Sequence, residues 1–308
     1  MNIIVLGAGA IGSLYGAKLS KLNNVALIAR KEHVQNINKN GLKVIGIENK
    51  TYKLKAAEKV DKIDKNTLIL LTTKVYDSEK AIRGIKDLLR KDTIILCLQN
   101  GLYSEKIVRK IVGKRCIVLR VITNFGVAFL KPGTVQFNSY SYTAIEKSPV
   151  SNELAKNFAK CGLNGLVSEN IKIDMWKKLI LNCVLNPVTA ILRVENKGIA
   201  DERLNPLKKL IADECLKVAK KDGVAFEMNF VGNINSAIKS SKNISSMQQD
   251  LIKGKKTEID CLNGAVVKLG KKYGVKCPVN EALVMIIREM EGDGEKELKT
   301  QHFSILIT

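Results

Sequence analysis

The chain has 308 residues, with 51 Lys+Arg against 30 Asp+Glu for a formal net charge of +21, and 45% hydrophobic residues with only 5 Pro and 22 Gly. That composition excludes a disordered, collagen-like or low-complexity chain and suits one large domain or two small ones. The longest apolar runs, at residues 67–73 and 93–98, fall far short of the roughly 20 residues that a membrane-spanning helix needs. The start Met1-Asn2-Ile3-Ile4-Val5-Leu6 has no basic segment of the kind that opens a signal peptide, so a cytoplasmic protein with no membrane partner is expected. Seven cysteines, none closer than sixteen positions to the next, predict reduced core thiols and no metal site. The basic excess raises nucleic-acid binding, but 42 of the cations are Lys and nine are Arg, they are interleaved with acids, and aromatics at 5% leave little for base stacking. A Lys-rich solvated surface, as in heat-adapted proteins, is the preferred reading, without a nucleic-acid partner.

In chain order, apolar runs of strand length at residues 3–6, 25–29, 68–72 and 94–98 alternate with helical patterns at 11–22 and 78–89. Such alternation predicts a parallel sheet covered on both faces. Residues 116–121, 126–129 and 133–137 read as antiparallel strands with a turn at Lys131-Pro132-Gly133, so the sheet is expected to end in an antiparallel portion. From residue 169 the texture changes to long amphipathic patterns at 175–192, 205–222, 247–270 and 280–291, the last after the helix start Cys277-Pro278. Residues 226–246 read as a loop with a short helix. The expected architecture is an α/β domain over 1–168 and an all-helical domain over 169–308, with any ligand held between them.

Gly7-Ala8-Gly9-Ala10-Ile11-Gly12 follows the first strand and opens the first helix. The first glycine permits a tight turn, the second lets a pyrophosphate approach the backbone, and the third allows helix and strand to pack closely. The helix N-terminus adds unpaired N–H groups and a positive dipole end. This is the dinucleotide-binding pattern, and it makes the first domain Rossmann-like. The second strand ends at Arg30 beside Lys31, where an NAD site usually carries an acid. A guanidinium there can hold a 2′-phosphate through two charge-assisted hydrogen bonds, which points to NADP(H). Two alternatives stand beside it: Arg30 as an ordinary surface cation, or Glu32 serving an NAD site.

A nicotinamide cofactor implies hydride transfer, and reduction of a carbonyl also needs a proton donor. The chain has only two histidines, His33 and His302, and neither is placed for the nicotinamide, so Lys, Tyr or a carboxylic acid is the expected donor. Lys178, Asn182 and Asn186 recur at i, i+4 and i+8 in the helical pattern 175–192, hence on one face. They read either as the lining of a polar groove or as a solvated face. Pro187 is expected to kink or end that helix, because it lacks the N–H that the carbonyl of Cys183 would accept.

The string Met175-Trp176-Lys177-Lys178-Leu179-Ile180-Leu181-Asn182-Cys183-Val184-Leu185-Asn186-Pro187-Val188-Thr189-Ala190 closely resembles the signature helix of the ketopantoate reductases. A second block, Ser245-Ser246-Met247-Gln248-Gln249-Asp250 with Thr257-Glu258-Ile259-Asp260 and Asn263-Gly264, is similar to that family's second signature. The resemblance runs essentially the full length and keeps the order of the motifs. It implies NADPH-dependent reduction of 2-dehydropantoate to (R)-pantoate, a step toward pantothenate and coenzyme A. Lys178 would be the general acid, and Glu258 would hydrogen-bond that lysine, the substrate hydroxyl or the cofactor. Asn100, Asn182, Asn186, Asn196 and Ser246 would bind substrate, with Asp250 a further acid. Gly7, Ala8, Gly9, Ala10, Ile11, Gly12, Arg30, Lys74 and Asn100 would contact NADP(H), the last two from the Thr73-Lys74 and Gln99-Asn100-Gly101 loops. The stretch Thr123-Asn124-Phe125-Gly126 departs from the family's commoner form. For Glu258 the alternative is a surface ion pair with Lys255 or Lys256. For the whole chain the alternatives are a reductase of another branched 2-keto acid and an NADP(H)-binding regulator without turnover. The expected assembly is a homodimer.

Overall fold

The computed structural model describes residues 1–226 and 229–292. Its first half runs β1 (Asn2–Leu6), α1 (Ala10–Leu19), β2 (Asn24–Ile28), α2 (Lys31–Asn40), β3 (Leu42–Gly46), β4 (Lys50–Tyr52), β5 (Lys55–Ala57), β6 (Thr67–Leu71), α3 (Ser78–Arg83) and β7 (Ile94–Cys97). It continues through α4 (Ser104–Val112), β8 (Ile117–Thr123), β9 (Gly126–Lys131), β10 (Thr134–Ser139), β11 (Thr143–Glu146), α5 (Ser151–Lys160), β12 (Gly165–Ser168) and α6 (Ile171–Leu192). Then come α7 (Asn205–Lys221), α8 (Phe230–Ile238), α9 (Ser246–Ile252), α10 (Asn263–Tyr273) and α11 (Pro278–Gly292).

An eight-stranded sheet has the order β12-β11-β8-β7-β6-β1-β2-β5, and β4-β3-β10-β9 form a second sheet. The strands from β8 to β5 are mutually parallel. The order reverses at β1, and the crevice at the carboxyl edge beside such a reversal is where open α/β sheets bind ligands. Alternate residues of the apolar runs face opposite cores. Val5, Leu70 and Leu96 join a cluster with Leu14, Val135 and Phe158, while Leu6, Leu71 and Cys97 join another with Ile82, Val108 and Val112. Burial on both faces explains why these strands read as unbroken apolar runs.

Three sequence readings are corrected. The strand expected at 116–121 is parallel to β7, because α4, an amphipathic helix that the sequence reading passed over, is the crossover helix that a parallel neighbour requires. The antiparallel portion starts one strand later, where β11 pairs with β8, while β9 and β10 form the antiparallel hairpin of the second sheet. The pattern 247–270 is not one helix. It breaks after Ile252, where Gly254 takes a positive φ of 57°, and resumes at α10.

By contact density the chain divides into two compact units at Leu179/Ile180, inside α6. In the second unit α7 packs against α8, α10 and α11, and all its regular structure among the described residues is helical. Helix α6 does not end at Pro187 but runs on to Leu192. The Cys183 carbonyl, deprived of its helical partner, accepts instead from the side chain of Asn263 at 3.1 Å. Asn263 is fully buried, and its amide also donates to Asn280 Oδ1 at 2.9 Å.

An unsatisfied buried carbonyl costs about 1–3 kcal/mol, so Asn263→Ala should lower the unfolding free energy by about that amount. In a Pro187→Ala background the cost should shrink by about 1 kcal/mol, because position 187 then supplies its own N–H. Urea denaturation of the four proteins measures this. An equal cost in both backgrounds would show that Asn263 does not replace the missing helical bond.

Candidate active site

The residues after the parallel strands gather at one edge of the sheet. Gly7 leaves β1 with a φ of +104°. The Gly7 and Ala8 amides donate to the Ile28 carbonyl at 3.1 and 2.8 Å, and Thr72 Oγ1 donates to the Gly7 carbonyl at 2.9 Å. The glycines are required by space as well as angle. A Cβ on Gly7 would lie 2.6 Å from Thr73 Cγ2, and one on Gly12 would lie 2.6 Å from the Gly7 carbonyl oxygen. A Cβ on Gly9 would meet nothing within 4 Å. Gly9 is exposed and stands at the N-cap of α1, where no side chain caps the helix. Open space above amides at a helix start fits a pyrophosphate. Nearby Thr73 Oγ1 is shielded from solvent with no hydrogen-bond partner among the described residues, an atom suited to a ligand contact.

Arg30 is exposed and caps the start of α2 from the end of β2. Glu32, also exposed, follows in the first turn of that helix. Lys74 and Asn100 are half-buried on the loops after β6 and β7. Lys178 reaches the same edge from α6, its ammonium donating to the Thr123 carbonyl at the end of β8. Packing places it there, because Met175, one turn earlier, is buried against Ile122 and Ala144.

The second unit assembles a separate group. Asn182 and Asn186 continue along α6 from Lys178, and Asn186 is only 4% exposed, so this face is not a solvated one. Thr189, on the following turn, lies with its hydroxyl 2.8 Å from Ser245 Oγ. Ser245 in turn caps α9, whose first residue is Ser246. The Asn196 and Lys197 amides donate to the carbonyls of Asn243 and Ser241 at 2.8 and 2.9 Å. The turn holding Asn196 is pinned by fully buried Lys208, which donates to the Ile199 carbonyl and to Asn235 Oδ1, both at 2.6 Å. Burial pulls the Lys208 pKa down. Asn186, Asn196 and Ser246 therefore sit on cross-braced segments. Glu258, 5% exposed, precedes the short 3-10 turn Ile259–Cys261; it is not a solvated surface charge, and Asp260 beside it takes Lys256 at 3.8 Å. Asp250 lies in α9.

Arg120 escaped the sequence reading, and His33 was weighed there only as a proton donor. Arg120, 1% exposed, lies in the middle of β8 and donates to the carbonyls of Gln99 and Gly101, on either side of Asn100, at 2.6 and 2.9 Å. Its signal was a single arginine inside the apolar strand Ile117–Thr123. His33 is buried, and its Nδ1 accepts the Gly133 amide at 2.8 Å. The proton therefore sits on Nε2, which donates to Ser13 Oγ at 3.1 Å, and Ser13 donates onward to the Ala8 carbonyl at 3.2 Å. A neutral imidazole thus ties the glycine turn to α2 and the β9–β10 hairpin. His302 lies outside the described residues.

Fold and edge together define a dinucleotide-binding α/β protein with an appended helical unit. Residues 3–149 match the family model described as ketopantoate reductase PanE/ApbA, and residues 170–291 match the model of its C-terminal part. The chain belongs to the ketopantoate reductase family. The 2-dehydropantoate 2-reductase of Pyrococcus horikoshii is 34% identical over 306 residues, covering 96% of this chain and 100% of the relative. That of Archaeoglobus fulgidus is 31% identical, covering 94% and 98%. Among solved structures, a PanE/ApbA family ketopantoate reductase from Ralstonia eutropha aligns with a TM-score of 0.87 at 29% identity, covering 96% and 99% of the two chains. D-mandelate dehydrogenase, solved with NADH and anilino(oxo)acetate, aligns with a TM-score of 0.86 at 30% identity over the same shares.

Burial holds the His33 pKa below its ordinary value of 6.5, so as pH falls through about 6.5 the unfolded chain takes up a proton first. This contribution to stability is complete above that pH and declines as pH drops toward the folded-state pKa. Urea midpoints between pH 7.5 and 5.5 should therefore fall more steeply for the wild type than for His33→Asn, and parallel slopes would reject a neutral buried His33.

Proposed function

We propose that the chain reduces 2-dehydropantoate to (R)-pantoate with NADPH. One observation carries this reading: the Lys178 ammonium is held by the Thr123 carbonyl on the sheet edge that also presents the glycine turn, Lys74 and Asn100. A cationic donor beside a dinucleotide cradle is what reduction of a carbonyl requires. The nicotinamide, when bound, supplies the hydride. Lys178 Nζ gives its proton to the ketone oxygen as that oxygen gains charge, so the product leaves as an alcohol and the lysine is recharged from solvent. The amides after Gly9 bind the pyrophosphate, Arg30 the adenosine 2′-phosphate, and Lys74 and Asn100 orient the nicotinamide end. Asn182, Asn186, Asn196, Ser246 and Glu258 bind the substrate's carboxylate and hydroxyl, which suits their buried or braced settings in the second unit. The reading extends to a homodimer in the cytoplasm; no helix among the described residues is long and apolar enough to cross a membrane.

A second reading is supported by the likeness to D-mandelate dehydrogenase with bound NADH: a reductase of another 2-keto acid that uses NADH. Oxidation of NADPH and NADH, followed by absorbance with 2-dehydropantoate and with an aryl 2-keto acid, separates the two. A higher kcat/KM for the aryl acid would overturn the first reading. Lys178→Ala should lower kcat by about 10²- to 10⁴-fold while NADPH still binds, as for loss of a general acid; near-normal turnover rejects that role.

Loss of charge-assisted hydrogen bonds worth about 1.5–3 kcal/mol should make Arg30→Ala weaken NADPH by about 10- to 100-fold and NADH little. Fluorescence titration of both cofactors reads this, and equal losses would mean that Arg30 does not recognise the phosphate.

A further inference from the structure

Asn100 and Lys74 sit on different loops, yet one buried chain of hydrogen bonds joins them. Arg120 Nη1 donates to Ser104 Oγ. Ser104 Oγ donates to Gln99 Oε1 at 3.4 Å, Gln99 Nε2 donates to Ser78 Oγ at 2.9 Å, and Ser78 Oγ donates to the Lys74 carbonyl at 3.2 Å. The direction is forced. A backbone carbonyl only accepts, so Ser78 spends its proton on Lys74 and must accept from the Gln99 amide, which turns Gln99 Oε1 toward Ser104. Arg120, Gln99, Ser104 and Ser78 are all at most 4% exposed, so water does not compete for these bonds.

The second terminal nitrogen, Nη2, grips the carbonyls of Gln99 and Gly101, which bracket Asn100. The loop between them and α4 needs holding, because Tyr103 stands at a φ of +60°, unfavourable for an aromatic residue. Position 120 faces the cluster that contains Val118, Cys97 and Val108, where an apolar side chain would pack without desolvating a charge. Glu105, from α4, stands 3.9 Å from Nη1 and partly balances that charge. Buried ion pairs of this kind are commonly replaceable by apolar residues without loss of stability, so their yield is geometry.

We infer that Arg120 is the positioning residue that sets both loops: it fixes the backbone on either side of Asn100 and, through Ser104, Gln99 and Ser78, the carbonyl of Lys74. This rests on the reading of Asn100 as part of the reductase site.

The test is a cycle. Arg120→Met with Glu105→Leu removes both charges together, and Asn100→Ala is made alone and on top of that pair. The pair variant should still unfold cooperatively, at a lower melting temperature than the wild type, because the buried Gln99 and Gly101 carbonyls lose their donor. Its kcat with NADPH and 2-dehydropantoate should be about 10- to 100-fold lower, since a misplacement on the order of 1 Å costs up to about 10²-fold, while the substrate KM changes less than kcat. Added to Asn100→Ala, the pair should cost less than threefold more. A pair variant with kcat within twofold of the wild type, or with the same fold loss in both backgrounds, overturns the proposal. Unchanged turnover in Asn100→Ala alone overturns the reading of Asn100 and the proposal with it. If the pair variant does not fold, Ser104→Ala leaves the guanidinium on the Gln99 and Gly101 carbonyls and cuts the branch that leads to Lys74, and kcat within twofold of the wild type then overturns the proposal that Arg120 sets both loops.

Discussion

At the carboxyl edge of a parallel sheet the ladder stops, and the last backbone groups must find partners elsewhere or bear the cost of being buried unpaired. Most of what surrounds this site is attached through that requirement. The glycine turn donates its amides to the carbonyl that ends β2, and Thr72 answers the carbonyl of Gly7. Lys178 takes the carbonyl that ends β8, and Arg120 takes two beyond β7. Each bond satisfies the backbone and also fixes the place of a residue at this edge. The residues gathered at the edge of the first unit are therefore tied to the ends of its strands.

Buried polar groups do similar work in the helical unit. Glu214 accepts the first amides of α11 from Val279 and Asn280 at 2.9 and 3.0 Å, placing negative charge at a helix N-terminus. Its partner Asn280 passes the connection to Asn263 and so to the open carbonyl beside Pro187. Lys208 spans α7, α8 and the turn of Asn196 using only neutral oxygens. A charge satisfied this way adds little net stability, but it permits few alternative geometries. The segments carrying Asn186, Asn196 and Ser246 are braced by such groups.

Much of this was legible in the chain, where local chemistry decides the outcome. The runs at 3–6, 25–29, 68–72 and 94–98 appear as strands within one residue at either end, because burial on both faces favours apolar residues along them. The glycine turn was legible because clash and positive φ exclude other residues at Gly7 and Gly12. The spacing of Lys178, Asn182 and Asn186 fixed their common helix face, though not whether that face is wet. The reading failed where a partner is distant and where a local signal was passed over. Pro187 was expected to kink or end the helix read over 175–192; the helix runs through it because the amide that serves the open carbonyl comes from Asn263, 76 positions away. The direction of β8 hung on α4, and the break in 247–270 on a glycine within an otherwise helical period.

By itself, then, the sequence determined the class of fold, the glycine turn and the family, because periodicity, glycine sterics and motif order are local properties that survive without coordinates. Only the tertiary structure decided which carbonyl receives Lys178, that Glu258 and Asn186 are buried, and that one arginine among nine bridges the loops of Lys74 and Asn100. The charge of +21 shows the same division. Counting gives its size, but which cation grips the backbone is set by strand register, since Arg120 lies beside Cys97 at the level where Leu71 and Leu6 complete the row toward the glycine turn.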